Sequence, residues 1–471
     1  SKLFSLRHSR QNLNIQKEFT MINKIKFDNL PGFSKLFIKQ IEQITSPINL
    51  FNSQTNNDTI ESKISLLSDF SIDNNLITII ANTNKKLKSS DQQRENLKLL
   101  QTNNAFVCTA TIKPTFLGGP SNILLKILST YIQTQTQKKR YKKFNFIPII
   151  WIDEDVQDNL ESSQSLLFSH SGNIINFSCS KDASKTDRTP IHKKYFTTEI
   201  NEIINQITET LPDSHNKTRI TDFLKKSYQP NYSWSFASTK LLNSFLKHLG
   251  LRFSFSSDVR QSGLFNNLIA KELSERGKTY ELIKQTQIKL KKYDIQIPDK
   301  SHCYNLNIHT QNQVQKCEKK ESMKFTNYSP NIMLRSIFED SLLPVVSRIC
   351  SPSELVYSLL LTNVYNHFDT IKPTHLPRFS ITFLNETTRK FIEETGTDLK
   401  EIISAYKRLK KMFEHNDAIK KAVNWLYPNE NLQERLLSML NLFAASGKQF
   451  AIRTAKKLTN NEPTKHLIIN I

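Results

Sequence analysis

Several carboxylates follow directly after an apolar run that could form a buried strand. The run covers residues 144–152, and the acids after it are Asp153, Glu154, Asp155, Asp158 and Glu161. Carboxylates at the end of a strand can bind an ammonium group, bind a metal ion or act as general bases. The structural alternative is an acidic loop that caps the next helix.

A glycine-rich turn precedes a helical pattern and could bind an anion. Gly118-Gly119-Pro120 is followed by apolar residues at helical spacing over 122–134, with Lys126 among them. The free N–H groups and the dipole at the start of a helix attract anions. A tight turn without a ligand is an equal alternative, because neither the phosphate-loop pattern nor the dinucleotide fingerprint is present.

Polar residues also lie beside apolar runs in the C-terminal half of the chain. They are Asn331, Arg335, Glu339, Glu354 and Arg378. A polar group buried beside a strand costs free energy unless it is paired, so we expect Arg335 to meet a carboxylate of the protein or of a ligand. The 11 histidines show no metal-ligand spacing, so the sequence predicts no metal site.

An α/β core would bring these residues together. A strand at 105–110, a loop at 111–120, a helix at 122–134 and a strand at 144–152 make a βαβ unit. Such a unit predicts a doubly wound parallel sheet. Ligands of these sheets bind beyond the carboxyl ends of the strands, which is where the polar loops would meet.

The same alternation continues along the chain. Further strands are predicted at 251–255, 342–349, 378–384 and 466–471. Helices are predicted near 193–211, 236–248 and 353–368, with a long amphipathic stretch at 258–293 and a polar connection at 295–328. We therefore expect an N-terminal extension (1–20), frayed or non-native, a core (21–385) and a C-terminal helical arm with a tail that returns to the core (386–471).

The amino-acid composition argues against three classes of protein, namely nucleic-acid-binding, membrane-spanning and disulfide-rich proteins. The chain has 471 residues with 65 Lys+Arg and 43 Asp+Glu, a formal charge of +22. The basic clusters are short, the densest at 138–143, which favours a solvated face over nucleic-acid binding. No apolar stretch reaches the ~18 residues of a spanning helix, so no membrane partner is expected. The 5 cysteines form no Cys-x-x-Cys pair, which favours a reducing cytoplasm over a disulfide framework.

Taken in order, the segments resemble the BshC family of bacillithiol-biosynthesis cysteine-adding enzymes. The resemblance runs along most of the chain. It is carried by Leu30-Pro31-Gly32-Phe33, Gly118-Gly119-Pro120 with Lys126, Phe146-Ile147-Pro148-Ile149-Ile150-Trp151, Ser329-Pro330-Asn331 with Arg335, Glu339-Asp340-Ser341-Leu342-Leu343-Pro344, Glu354 with Tyr357, Pro377-Arg378, Leu426-Tyr427-Pro428 and Leu432-Gln433-Glu434-Arg435.

The resemblance implies a Rossmann-like, nucleotidyltransferase-like core, a C-terminal coiled-coil arm and a homodimer. It implies a ligase that adds cysteine to the amine of glucosaminyl-malate, with a nucleotide such as ATP or ADP as a possible cofactor. Arg335 and Arg378 are then candidates for the malate carboxylates, and Asp158 or Glu161 for an amine, as the catalytic residues. The full set of implied substrate contacts is Gly118, Gly119, Pro120, Lys126, Trp151, Asn331, Arg335, Glu339, Glu354 and Arg378.

The chain departs from the family pattern at loops near these residues. Thr111-Ile112-Lys113 stands where the family has Gly-Gln-Gln, and Ser351-Pro352-Ser353-Glu354 where it has Gly-Pro-Gly-Glu. The histidine of a Glu-Asp-His-Asp string is absent, and the arm is shortened to 386–425. Lost glycines change loop geometry. Two hypotheses follow: a cysteine ligase with a rebuilt site, or a catalytically eroded or repurposed descendant that acts as a binding or scaffold protein.

Overall fold

The computed structural model describes most of the chain. The described residues are 22–30, 33–45, 59–157, 159–169, 174–180, 187–211, 213–291, 301–311, 313–384, 389–390, 392–393, 439–440, 450–459, 461 and 463–470. The helices among them are α1 (Lys35–Thr45), α2 (Ile60–Leu66), α3 (Asn74–Lys86), α4 (Asp91–Leu100), α5 (Ser121–Arg140), α6 (Asn159–Ser163), α7 (Ile200–Thr210), α8 (Lys217–Ser227), α9 (Trp234–Leu246), α10 (Ser256–Gln261), α11 (Asn266–Ser274), α12 (Lys278–Lys291), α13 (Arg335–Asp340), α14 (Pro352–Ser358), α15 (Thr362–His367) and α16 (Phe450–Leu458).

Thirteen strands form four sheets within the described residues. The strands are β1 (Ile22–Ile25), β2 (Ala105–Ile112), β3 (Asn145–Ile152), β4 (Gln164–Phe168), β5 (Ile174–Ser178), β6 (Arg252–Phe255), β7 (Leu306–His309), β8 (Val314–Lys316), β9 (Tyr328–Pro330), β10 (Val345–Cys350), β11 (Thr374–Pro377), β12 (Ser380–Leu384) and β13 (His466–Asn470).

The central sheet has five parallel strands in the order β11-β10-β2-β3-β6. Every residue of β2 is buried, and only the first residue of β3 is partly exposed. Parallel strands that are covered on both faces read as continuous apolar runs, which is how β2 and β3 read. The predicted α/β fold with a parallel sheet is therefore confirmed.

The predicted βαβ unit consists of β2, α5 and β3. Leu124, Leu128 and other apolar residues of α5 pack with Ile150 of β3 on one face of the sheet. On the other face, Ile149 and Trp151 pack against a second apolar cluster. Because both faces are covered, the polar residues that follow the strands can reach a ligand only at the carboxyl edge.

Several predicted elements differ in the structure. The strand predicted at 342–349 begins later, at Val345, because the preceding residues form a turn after α13. The strand predicted at 378–384 is β12, which pairs in parallel with β13, whereas β11 forms the edge of the central sheet. The stretch at 258–293 divides into α10, α11 and α12 because Gly263 and Gly277 adopt left-handed backbone angles, with φ of 82° and 79°.

The segment predicted as a polar connection at 295–328 contains ordered strands. Here β7 pairs antiparallel with β8 and with β9 in a small sheet. Each strand has only three or four residues, so its period-2 pattern is too short to recognise in the sequence. The helix predicted at 353–368 is also divided, into α14 and α15.

Two described elements near the C-terminus pack against earlier parts of the chain. β13 lies between β1 and β12, and α16 buries Phe450, Ala451 and Leu458 in the same apolar cluster as α5. The predicted extension at 1–20 and nearly all of the predicted arm at 386–425 lie outside the described residues. None of the described helices has the length and apolar character needed to cross a membrane.

Candidate functional site

A cleft of three adjoining pockets lies at the carboxyl edge of the central sheet. The inner pocket, of about 350 Å³, is lined by Thr111, Ile112, Lys113, Thr115, Pro120, Asn122, Ile123, Lys126, Asp153, Glu161, Arg335, Ser351, Ser353, Glu354 and Arg378. The outer pocket, of about 520 Å³, is lined by Lys113, Asp153, Asp155, Val156, Gln157, Arg188, Asn307, Pro330, Asn331, Ile332 and Arg335. The hairpin pocket, of about 820 Å³, shares Gln157, Arg188 and Asn307 with the outer pocket and is otherwise lined by β8 and its flanking residues.

One wall of the inner pocket joins α5 to α14. The Lys126 Nζ lies 2.6 Å from the Glu354 Oε2 and donates to the Thr111 carbonyl oxygen at 2.6 Å. The same Glu354 oxygen accepts from the Ser351 N–H at 2.7 Å in the capping box that begins α14. Burial alone would raise the pKa of Glu354, but Lys126 and the cap hold it at about 2. This carboxylate is therefore ionised.

Two arginines complete the inner pocket. Arg335 forms an ion pair with Asp153, so the carboxylate predicted to meet Arg335 belongs to the protein. Arg378 donates from Nη1 to the Phe379 carbonyl oxygen at 2.9 Å and has no ion-pair partner among the described residues. Burial lowers the pKa of its guanidinium to about 10, where it remains charged at neutral pH. Arg378 is thus the cation in this pocket with the most to gain from an anionic ligand.

The glycine turn lies behind the pocket. Leu117, Gly118 and Gly119 have left-handed backbone angles, with φ of 56°, 78° and 74°. The Gly118 and Gly119 N–H groups donate to Thr115 and Phe116, and the Gly119 carbonyl oxygen accepts from Met439. These two amides already donate within the protein and are not free to donate to an anion. Pro120 and the first turn of α5 line the pocket instead.

Two other residues that were predicted to contact the substrate, Trp151 and Glu339, lie in the core. The Trp151 side chain is fully buried, 0% exposed, and its indole nitrogen has no hydrogen-bond partner among the described residues. Glu339 accepts from Thr111 at 2.6 Å and from Arg348 at 2.8 Å. Neither residue lines any of the three pockets, because each faces packed side chains below the strand ends.

Arg348 was not among the site residues predicted from the sequence. It forms buried ion pairs with Glu339 and Asp340, and we call these three residues the floor of the inner pocket. Asp340 also accepts from the Tyr365 hydroxyl at 2.6 Å. Arg348 sits in the middle of β10, where an arginine in an apolar run is the sequence signal for such a buried pair.

The acids after β3 have three different environments. Asp153 reaches the inner and outer pockets and pairs with Arg335. Glu154 accepts from the Ser257 hydroxyl, and burial raises its pKa to about 8, so it is protonated at neutral pH. Asp155 lines the outer pocket and pairs with Arg260 and His192. Of these three acids, Asp153 and Asp155 therefore present charge to the cleft.

The two acids predicted to act on an amine come later in this loop. Asp158 lies outside the described residues. Glu161 lines the inner pocket at its exposed side, with its Oε2 2.8 Å from the Lys113 Nζ. Lys113 lines both the inner and the outer pocket, so this pair lies where the two meet.

Asn331 lies in the outer pocket and shapes its wall. Its side chain donates to Asn305 at 3.0 Å and accepts from the Met333 N–H at 2.8 Å. These bonds fix the turn between β9 and α13, which carries Arg335 into the cleft. Within the described part of the chain, no group of His, Cys, Asp and Glu residues could hold a metal ion.

Comparison with known proteins gives one family. The family model described as "Bacillithiol biosynthesis BshC, N-terminal Rossmann-like domain" matches residues 21–328 and 323–379. A relative from Chlorobaculum tepidum, named "Putative cysteine ligase BshC", is 22% identical over 349 residues, which cover 68% of this chain and 62% of the relative. A relative of the same name from Flavobacterium johnsoniae is 23% identical over 417 residues, which cover 83% and 76%. This chain thus spans less than two thirds of the first relative.

Proposed function

The chain belongs to the BshC family, and from this premise we propose that it is a bacillithiol-biosynthesis ligase that adds cysteine to the amine of glucosaminyl-malate. The observation that carries the proposal is the inner pocket. It places four cations, Lys113, Lys126, Arg335 and Arg378, among three carboxylates at the ligand-binding edge of a parallel sheet. Such a pocket suits a substrate with two carboxylates.

Arg378 and Arg335 would bind the malate carboxylates. Arg378 has no carboxylate partner among the described residues, so a ligand carboxylate would satisfy a partly buried cation. Arg335 already pairs with Asp153 and lines both pockets, so it can donate to a ligand carboxylate while it keeps its ion pair with Asp153. Lys126 is fixed by Glu354 and by Thr111, and it adds positive charge to the wall.

The chemistry requires a neutral amine and an activated cysteine carboxylate. The amine nitrogen attacks the carbonyl carbon, the new C–N bond forms, and the activating group departs with its bonding electrons while the nitrogen loses a proton. Glu161 is a candidate to receive that proton, because it lines the inner pocket and its own side chain is 67% exposed. Asp158 remains a second candidate on sequence grounds.

The finer features implied by the family belong to the same proposal. They are a nucleotidyltransferase-like core at 21–385, a shortened coiled-coil arm and tail at 386–471, a homodimer, a cytoplasmic location, and a nucleotide that activates the cysteine carboxylate. The start of α5, with Lys126 behind it, is the part of the inner pocket that would meet a nucleotide phosphate. A binding or scaffold role is not favoured, because the relatives carry the ligase name.

Product formation tests the proposal. Purified full-length protein is incubated with glucosaminyl-malate and cysteine, in parallel with ATP, with ADP and without nucleotide. We expect bacillithiol in at least one mixture by mass spectrometry, and much less from the Arg378→Gln variant. A folded wild-type sample that yields no bacillithiol in any mixture would contradict the proposal.

A further inference from the structure

The Asp155 carboxylate in the outer pocket is held by side chains that do not line the pocket. Arg260 binds both oxygens, with Nε 3.0 Å from Oδ2 and Nη2 3.0 Å from Oδ1. Arg260 is itself fixed by donating to the Thr326 carbonyl oxygen, and it is 4% exposed. This bidentate pair sets the plane of the carboxylate.

His192 approaches the same carboxylate from a second side. Its Nδ1 lies 3.3 Å from Asp155 Oδ1 and 3.3 Å from the Glu154 carbonyl oxygen, so the proton belongs on Nδ1. The Nε2 is buried and has no hydrogen-bond partner among the described residues. Protonation of that nitrogen would leave a buried N–H unsatisfied, so His192 favours its neutral form.

Another histidine packs behind this pair. The His309 ring lies 6.1 Å from the His192 ring, centroid to centroid, and its Nε2 bonds the Ser329 Oγ at 2.8 Å. Burial lowers the pKa of His309 to about 4 and also lowers the pKa of His192. At neutral pH, Arg260 is therefore the only full positive charge in direct contact with Asp155 among the described residues.

Counting acceptor positions shows what Asp155 can still do. A carboxylate has about four lone-pair positions. Arg260 and His192 occupy those of Oδ1, whereas Oδ2 has only the Arg260 Nε among the described residues. Oδ2 therefore keeps one acceptor position, on a residue that lines the outer pocket.

The other charges of the outer pocket are already engaged. Arg335 pairs with Asp153, Lys113 pairs with Glu161, and Arg188 donates to Gln157 at 3.0 Å. A ligand ammonium group at Asp155 would therefore meet Arg335 and Lys113 with their charges balanced by carboxylates, and Arg188 bound to the neutral Gln157 of the same pocket.

We propose that Asp155 binds the ammonium group of the acceptor in the outer pocket, and that His192 and Arg260 are positioning residues that orient this carboxylate. The inference rests on the proposed function and adds a third acid, in a different pocket, to Glu161 and Asp158. With the malate carboxylates in the inner pocket, the acceptor would lie across the Asp153–Arg335 pair that lines both pockets.

Paired ligands test this assignment. The affinity of the full chain is measured by calorimetry for glucosaminyl-malate and for the same molecule with its amine acetylated, which cannot carry an ammonium charge. Asp155→Asn should weaken binding of the amine ligand by about tenfold to a hundredfold and leave the acetylated ligand nearly unchanged. Asp258→Asn is the matched control, because Asp258 is a nearby acid that lines none of the three pockets.

The pH dependence tests the role of His192. The groups that act on it are Asp155, Arg260, Lys193, His309 and Asp258. Because burial lowers the pKa of His192 below its ordinary value of 6.5, acidification below that pH adds a second cation beside Asp155, and the preference for the amine over the acetylated ligand should then fall. His192→Gln, whose amide can still donate to Asp155, should keep that preference constant with pH.

The possible results distinguish a failure of the proposed function from a failure of the role proposed for Asp155. If wild-type protein binds neither ligand, the proposed function and this inference both fail. If wild-type protein binds the amine ligand but Asp155→Asn weakens both ligands equally, the inference alone fails. A melting temperature for each variant distinguishes a lost contact from a lost fold, and a folded His192→Gln protein with the wild-type pH profile would contradict the positioning role.

Discussion

The inner and outer pockets differ in how their charged groups are held. In the inner pocket the charged partners are in direct contact and both line the cavity, as Lys126 and Glu354 do on one wall. In the outer pocket Asp155 is held from behind by Arg260 and His192, neither of which lines the pocket. A ligand can exchange partners in the first arrangement, whereas it meets a carboxylate of fixed orientation in the second. We infer that the inner pocket selects anions and the outer pocket selects a hydrogen-bond donor.

The largest expected effect concerns the floor of the inner pocket. Arg348→Ala would leave Glu339 and Asp340, both at most 3% exposed, without their cation. The free energy of unfolding should fall by about 3–5 kcal/mol, measured by urea denaturation. Arg94→Ala, which removes an exposed pair with Asp91, should change it by at most about 1 kcal/mol. If Arg348→Ala and Arg94→Ala lost equal free energy of unfolding, the buried ion pairs of Arg348 would not be needed for stability.

The next effect concerns ligand binding in the inner pocket. Arg378→Gln should weaken binding of glucosaminyl-malate by about 1.5–3 kcal/mol, because it removes a charged hydrogen bond to a carboxylate. Stability should change little, since the partly buried guanidinium has no carboxylate partner among the described residues. Calorimetry and a thermal melt on the same samples measure both quantities. Unchanged affinity would remove Arg378 from the binding site.

Two glutamates should give opposite pH dependences of stability. The pKa of Glu154 is raised from 4.5 to about 8 in the folded protein, so between these values the unfolded chain binds fewer protons. Its contribution should therefore fall by about 1.4 kcal/mol per pH unit as pH rises. Glu154→Gln should abolish this loss, which urea denaturation across the range would detect as a difference from wild type.

Glu354 provides the matched comparison. Its pKa is lowered from 4.5 to about 2, so its stabilising contribution is present above pH 4.5 and is lost as pH falls toward 2. Glu354→Gln should thus differ from wild type mainly in its stability at acidic pH. If both variants showed the same pH dependence of stability as wild type, the opposite pKa shifts of Glu154 and Glu354 would be contradicted.

The smallest effect is expected at the boundary between the pockets. Glu161→Gln removes an ion pair with Lys113 in which the Glu161 side chain is 67% exposed. Such pairs contribute at most about 1 kcal/mol, so the variant should keep nearly the wild-type free energy of unfolding. If Glu161 receives the amine proton, the rate of product formation should nevertheless decrease. An unchanged rate would exclude Glu161 from that role.

The sequence predicted the elements whose patterns are local. The apolar runs of β2 and β3 and the helical spacing of α5 identify the βαβ unit, and the polar residues after those strands reach the same edge. Pro120, Lys126, Arg335, Glu354 and Arg378 accordingly line one pocket. Trp151 and Glu339 lie in the core instead, and the sequence does not show whether a residue beside a strand end faces the cleft or the core.

The shell around Asp155 could not be predicted in this way. Arg260, His192 and His309 come from α10, from the segment before α7 and from β7, which are far apart in the chain. No regular spacing in the sequence connects these residues, and the sequence alone does not distinguish a histidine that contacts a carboxylate from one that only packs in the core. The short strands of the β7-β8-β9 sheet, which place His309, also lack a recognisable pattern.

The selection of a dicarboxylate by the inner pocket is the central claim, and one binding comparison tests it most directly. The affinity of the full chain for glucosaminyl-malate is compared with its affinity for methyl glucosaminide, which has the amine and the sugar but no carboxylates. The account predicts that loss of the carboxylates weakens binding by at least about tenfold in the wild type and by much less in Arg378→Gln. Equal affinities of the wild type for the two ligands would contradict it.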